Sequence, residues 1–356
     1  MKRFLFCLSV CTTLIVITGT TSHLNLVSSP KQIAEFIKNN PEKASLHLVV
    51  DDSVLVNYNA DRMMPLASTV KIIIAVEFAE QAAAGTIDPG ERVSLSELRR
   101  FYIPNTDGGT HPAWLNMITK QGLVNNGQVT LHDVAKGMIW FSSNANTEFL
   151  LMKLGIENVN NRLDSLDIKN HEPIYPFISS LYLFNDETID ASELSLNEYR
   201  KKSTDVFYTL QSDTSMKNEF SLSSLTMDAQ KIWSEHLPAS TASTYTSVMD
   251  KINSRSYFSE KVHATLNPIM EVVMTNPANQ EWLEHSGMKG GSTAFVLTKA
   301  LYATTKSGTD IEMAYFLDNL SSVENMSIKQ SMNSFELEVL SNSSFREKLS
   351  TMLEGK

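Results

Sequence analysis

The chain has 356 residues, 42% of them hydrophobic and 20% charged, which excludes a wholly disordered protein and leaves room for one large or two moderate domains. Acidic residues number 40 and basic ones 30, for a formal charge of −10 at pH 7. Such a surface argues against nucleic acid as a partner.

Residues 1–22 open with Lys2 and Arg3, run through an almost wholly apolar or small stretch from Phe4 to Ile17 and end in Thr18, Gly19, Thr20 and Thr21. This is the layout of a secretory signal peptide, so a periplasmic or secreted protein is expected. A retained anchor is the alternative, although the apolar run is short for a full membrane span. Both cysteines, Cys7 and Cys11, lie in this leader. The processed chain would therefore hold no disulfide and no thiolate-bound metal. Loss of Lys2 and Arg3 would leave 28 basic residues against 40 acidic ones, a charge of −12.

Residues 29–40 place Ile33, Phe36 and Ile37 on one face behind Pro30 and predict a short amphipathic helix. Residues 45–50 and 54–58 alternate apolar and polar side chains around Asp51-Asp52-Ser53 and predict a hairpin. An apolar helix follows over 69–84, closed by Gly85. From 88 to 126, Pro104, Asp107-Gly108-Gly109 and Pro112 break the chain into loops and short helices. Helices are predicted over 131–141, opened by Thr130 and Asp133, and over 145–154, ended by Gly155; Ser142-Ser143-Asn144 sits at the break between them. Residues 185–226, rich in Ser, Thr, Asn and Lys, read as a partly helical surface insertion. Helical patterning resumes at 227–236 and 244–274. Strands are then predicted at 288–292, 294–304 and 311–317, and a final helix at 334–353. Strands at both ends with helices between them predict one sheet assembled from the two ends of the chain. The expected fold is α/β (α+β), a single domain over 23–356 with one lobe from about 29–85 and 286–356 and a helical lobe from about 86–285.

There is no fixed-period repeat, no G-x-S-x-G, no H-E-x-x-H and no phosphate-binding glycine loop. The eight histidines show no ligand spacing. Neither a metal nor a cofactor is expected.

Chemistry concentrates at Ser68 and Lys71. Residues three apart share a helix face, and Val70, Ile72, Ile73, Ile74 and Val76 surround the lysine with apolar side chains. Burial favours the neutral amine, which is a base, so a serine one turn away is a candidate nucleophile for acyl transfer. The same spacing occurs at Ser28/Lys31 and Ser286/Lys289, but only Ser68/Lys71 opens a buried helix. Among Ser142/Asn144, Ser195/Asn197 and Ser331/Asn333, only the first pair lies between two well-patterned helices. Lys306-Ser307-Gly308 falls in a predicted hairpin turn, where these residues are ordinary turn chemistry. Lys289-Gly290-Gly291-Ser292-Thr293 instead opens a strand, where two glycines let a ligand approach the backbone. Its ammonium suits a substrate carboxylate.

In order, these three elements resemble the penicillin-recognising serine hydrolases, the superfamily of class A β-lactamases and penicillin-binding DD-peptidases, from about residue 45 to the last helix. The resemblance implies an α/β lobe, a helical lobe and an active site between them. It implies Ser68 as nucleophile, Lys71 as its proton acceptor, Ser142 as relay to the leaving group and Asn144 as partner of the substrate amide and of Lys71. Lys289, helped by Ser292 or Thr293, would hold the substrate carboxylate. The N–H groups of Ser68 and Ser292 would form the oxyanion hole, and Tyr102 would wall the cleft. Ser143 departs from the class A pattern, which has aspartate there, and Gly290 from a hydroxyl residue. Glu172 is the candidate deacylating carboxylate, but Pro176 replaces the asparagine that would hold the water. The expected function is a monomeric class A-like β-lactamase working through an acyl-enzyme on a small carboxylate-bearing β-lactam, peptide or ester. A D-amino-acid peptidase or esterase of the same fold, or a penicillin-binding protein or sensor without turnover, is the alternative.

Overall fold

The computed structural model describes residues 29–354; the expected leader, with Cys7 and Cys11, lies outside them. Helix α1 (Pro30–Asn39) starts on proline, whose missing N–H has no partner to lose there, and buries Ile33, Ala34 and Ile37. Strands β1 (Ala44–Val50) and β2 (Ser53–Tyr58) form the expected hairpin. Asp51 and Asp52 turn it at positive φ, a backbone that aspartate tolerates better than most residues.

A two-residue strand, β3 (Met64–Pro65), leads to a 3-10 turn (Ala67–Val70) and helix α2 (Lys71–Ala84), capped by Gly85 at φ 74°. Next come β4 (Arg92–Ser94), α3 (Leu95–Arg99), α4 (Thr110–Lys120), β5 (Gln128–Thr130), α5 (Leu131–Trp140), α6 (Asn144–Leu154) and α7 (Ile156–Ser165). The insertion holds α8 (Leu196–Ser212), opened by a capping box of Ser195 and Glu198, and the single turn α9 (Met216–Glu219). The helical segment closes with α10 (Met227–Glu235), β6 (Ala239–Ser240), α11 (Ala242–Asn253), α12 (Glu260–Met270) and α13 (Pro277–Gln280). Strands β7 (Leu283–Ser292), β8 (Leu297–Thr305) and β9 (Asp310–Leu317) return to the sheet, and α14 (Ser322–Ser341) and α15 (Ser343–Glu354) end the described chain. Among the described residues no helix is long and apolar enough to cross a membrane.

The main sheet has the order β2-β1-β9-β8-β7, antiparallel throughout. Its central strands are buried on both faces. Leu301, Met313 and Tyr315 pack toward α1, α14 and α15, while Ala300, Tyr302, Ala314 and Phe316 join the core of the helical side. Alternating side chains serve two cores. Helix α2 runs through the second core between α5, α6, α7 and α12. Its buried Glu77 is paired with Arg162 at 2.8 Å, the kind of partner that a buried charge requires.

Two helix expectations change. The helix expected over 334–353 is two helices, because Asn342 accepts from the Phe345 N–H and caps a new start; α14 itself begins earlier, with a capping box of Ser321 and Glu324. The stretch 244–274 is broken between α11 and α12, where Arg255 has φ 58° and Ser259 caps α12. Helix α11, inside the segment expected to form the helical lobe, lies against β1, β8 and β9.

Candidate active site

Ala67, at φ 44°, bends the chain immediately before Ser68. A residue with a Cβ in this region costs about 1–3 kcal/mol, and such strain collects at functional sites. Ser68 occupies the 3-10 turn and Lys71 is the first residue of α2, so the pair spans the junction of turn and helix. Thr298 on β8 locks that turn, its hydroxyl donating to Leu66 O at 2.8 Å and meeting Thr69 Oγ1 at 2.7 Å. The end of β7 closes in from the other side. A Cβ on Gly291 would lie 2.5 Å from the Ser68 nitrogen, so only glycine lets this strand approach the Ser68 N–H.

Lys71 is fully buried. Its Nζ donates to Ser142 O at 2.8 Å, Asn144 Oδ1 at 3.0 Å and Ser142 Oγ at 3.3 Å. Lys289, 5% exposed, donates from β7 to the same Ser142 hydroxyl at 3.1 Å and to Gly290 O at 2.6 Å. One hydroxyl therefore stands between two ammonium groups. It has two lone pairs and one proton, enough to accept from one side and pass a proton on. Ser142, at φ 63°, is a second strained residue of the site.

The missing aspartate at Ser143 is replaced by a neutral network. Ser143 Oγ donates to Asn146 Oδ1 at 2.9 Å and accepts from the Asn146 N–H at 3.3 Å, capping α6. His111 Nδ1 lies 2.8 Å from the same oxygen; with the serine proton already given to Asn146, the imidazole is the donor. Burial holds His111 down at about 4, so it is neutral at pH 7. Tyr102 packs against this ring at a tilt of 33°, centroids 4.6 Å apart.

Ser292 ends β7 opposite Leu297. The Thr293 hydroxyl accepts from the N–H groups of Phe295 and Val296, both at 3.1 Å, and from Ser234 Oγ at 2.8 Å, so it shapes the β7–β8 turn instead of meeting Lys289. A third lysine, not singled out by the sequence motifs, stands beside Gly290. Lys299 Nζ is 3.4 Å from where a Cβ on Gly290 would sit and 3.3 Å from the buried Glu336 carboxylate. Its stem occupies the space that a larger residue at 290 would need. Lys306 lies exposed in the β8–β9 turn, with Gly308 at φ 86°.

Glu172 does not join the cluster. Its carboxylate accepts from Arg200 on α8 at 2.8 Å and from the Ala239 N–H at 3.0 Å. The insertion thus supplies a guanidinium partner for the carboxylate expected to serve deacylation. The buried carboxylate near Lys71 is Glu148, on α6. Burial pushes it up to about 7, against the hydrogen bonds it accepts and the field of Lys71. An acid immediately before the apolar run Phe149-Leu150-Leu151 was the available signal, a weaker one than the apolar neighbours on both sides of Lys71.

A family model described as the beta-lactamase enzyme family matches residues 29–272. Among solved structures, a class A beta-lactamase from Bacteroides cellulosilyticus is similar with 16% identity and a TM-score of 0.53, covering 88% of this chain and 99% of its own. A beta-lactamase from Sphaerobacter thermophilus gives 18% and 0.54, covering 86% and 95%. A variant of PBP-A in acyl-enzyme complex with penicillin G gives 18% and 0.51, with the same coverage of 86% and 95%. No curated protein matches. At these identities the structures speak for the fold, and the family model for membership: the chain belongs to the beta-lactamase enzyme family and is a serine hydrolase.

Proposed function

We propose that this hydrolase forms an acyl-enzyme on Ser68 with a carboxylate-bearing β-lactam or a related small amide or ester. The observation that carries the reading is the Ser142 hydroxyl within reach of two buried lysine nitrogens, Lys71 at 3.3 Å and Lys289 at 3.1 Å. As the free amine, Lys71 takes the Ser68 proton while Oγ attacks the carbonyl carbon. The new Oγ–C bond leaves an oxyanion facing the Ser68 and Ser292 N–H groups. Collapse breaks the C–N bond, and the proton passes from Lys71 through Ser142 to the leaving nitrogen. Water then cleaves the ester and returns a proton to Ser68. Lys289 and Lys299 attract the substrate carboxylate. The leader expected over residues 1–22 supports action outside the cytoplasm.

The Glu172–Arg200 pair favours a second reading of the last step, in which hydrolysis is slow and the protein stays acylated as a penicillin-binding protein. Intact-protein mass spectrometry after mixing with penicillin G and a chromogenic cephalosporin tests both. A transient adduct on Ser68 with accumulating product is the β-lactamase outcome and a persistent adduct the penicillin-binding one. No adduct, or an adduct that survives in Ser68→Ala, refutes the proposal.

A further inference from the structure

Glu148 follows Asn144 by four residues on α6, so the two side chains share a helix face. Asn144 Oδ1 is 3.0 Å from Lys71 Nζ, and α6 packs on α2. The Glu148 side chain is buried. Its carboxylate accepts from the N–H groups of Ile178 at 2.8 Å and Ser179 at 2.9 Å, and from the Ser179 hydroxyl. Those bonds tie the turn around 177–180 to α6, whose Asn144 accepts from Lys71. Among the described residues, the titratable groups facing Glu148 are Lys71 on α2 and Tyr175 and Tyr182 on the loop. Burial pushes both phenols upward, which leaves Lys71 as the facing group with a charge to offer.

We propose that Glu148 is a positioning residue of the acyl-transfer site, one that clamps the 177–180 turn and sets the buried negative charge opposite Lys71, while Glu172 serves the insertion. This inference rests on the acyl-enzyme reading of Ser68. An anion facing an amine favours its protonated form, so a charged Glu148 delays the appearance of the base to higher pH. With its carboxyl held at about 7, that charge develops within the working range.

The test is the pH profile of Ser68 acylation by penicillin G, followed by intact mass in the full chain. Glu148→Gln keeps the shape and the acceptor oxygen but removes the charge; its rising limb should begin about one pH unit or more lower than in the wild type. Glu148→Asp, which keeps the charge, should restore the wild-type position. A Glu148→Gln profile reduced in height but unmoved along the pH axis overturns the proposal, because a merely structural contact acts in that way. Should that variant not fold, Ser179→Ala decides: losing one donor weakens the anion and moves the limb in the same direction by less, and an unmoved limb again overturns it. A wild type that forms no adduct refutes the acyl-enzyme reading and this inference together, whereas an adduct with an unmoved limb refutes this inference alone.

Discussion

The wall of the cleft that carries Ser68 and the wall formed by residues 172–185 are held by different neighbours. On the first, the polar contacts run among the motif residues themselves, from Lys71 to Ser142 and Asn144 and from Lys289 to Ser142. On the second, apart from the bonds that Ile178 and Ser179 make to Glu148, they run outward to the insertion and its flank. Glu172 meets Arg200, the Ser203 hydroxyl donates to Pro176 O, and Trp233 Nε1 donates to Phe177 O at 2.8 Å. The groups needed to form an acyl-enzyme are thus fixed by one another, while the segment expected to serve hydrolysis is shaped by chain added elsewhere. On the acyl-enzyme reading proposed above, the two half-reactions would depend on largely different neighbours, joined at Glu148.

The largest effect that would break this contrast belongs to the first wall. Lys71→Ala should lower the acylation rate by about 10²–10⁴, the range for removal of a general base, as read by the rate of adduct formation. A rate close to wild type would mean that the proton leaves Ser68 by another route. Gly291→Ala comes next. The new Cβ would lie 2.5 Å from the Ser68 nitrogen and 2.6 Å from Thr298 Oγ1, so β7 must move. We expect a loss of about 10²–10³ in acylation, as for one oxyanion donor, with about 1–3 kcal/mol of stability. Unchanged kinetics would remove β7 from the site.

Stability against pH sharpens the comparison at the seam between the walls. The Glu148 carboxyl is raised from 4.5 to about 7 in the native state. Between those values the folded protein binds a proton that the unfolded chain has lost, so this group lowers stability as pH rises, by about 3 kcal/mol in all. His111 and His171, both held at about 4 by burial, act oppositely, since the unfolded chain takes up their protons between pH 6.5 and 4. The stability of Glu148→Gln relative to wild type should therefore climb from pH 4.5 to 7 and level off above it, in urea melts at fixed temperature. A difference that does not vary with pH would sink the assignment.

Smaller effects belong to the second wall. Arg200→Ala releases Glu172 and should shorten the lifetime of the adduct with little change in its formation, whereas Glu172→Gln in the wild-type background should leave that lifetime nearly alone. If Glu172→Gln instead trapped the adduct, Glu172 would be the hydrolytic base in spite of its pairing. The smallest effect is predicted at Lys306→Ala, in the exposed β8–β9 turn. Activity should not move, and stability should stay within about 0.5 kcal/mol.

Much of the site was legible because its chemistry violates local pattern. A lysine within Val70-Lys71-Ile72-Ile73-Ile74 announces a buried amine, and Lys289 before two glycines announces a strand that a ligand approaches. The same logic separated Lys289 from Lys306, since a turn explains the second without function. Thr293 and Glu172 show the limit: their residue types suited the site, but sequence could not show that a turn amide donates to the first and Arg200 to the second. Glu148, His111 and Lys299 were passed over because each acts through a partner distant in the chain, respectively Ser179, Ser143 and Glu336.

By itself the sequence determined the hairpin, the buried nucleophile-bearing segment, the strands at both ends and the order of the three motifs. Those follow from periodicity, caps and breakers, which act over a few residues. Tertiary structure alone decided that Ser142 lies between two ammonium groups, that Gly291 meets the Ser68 N–H, and that the buried carboxylate near Lys71 comes from α6. Each of those outcomes depends on which elements pack together, and charges brought close in a desolvated interior interact far more strongly than any local preference can encode.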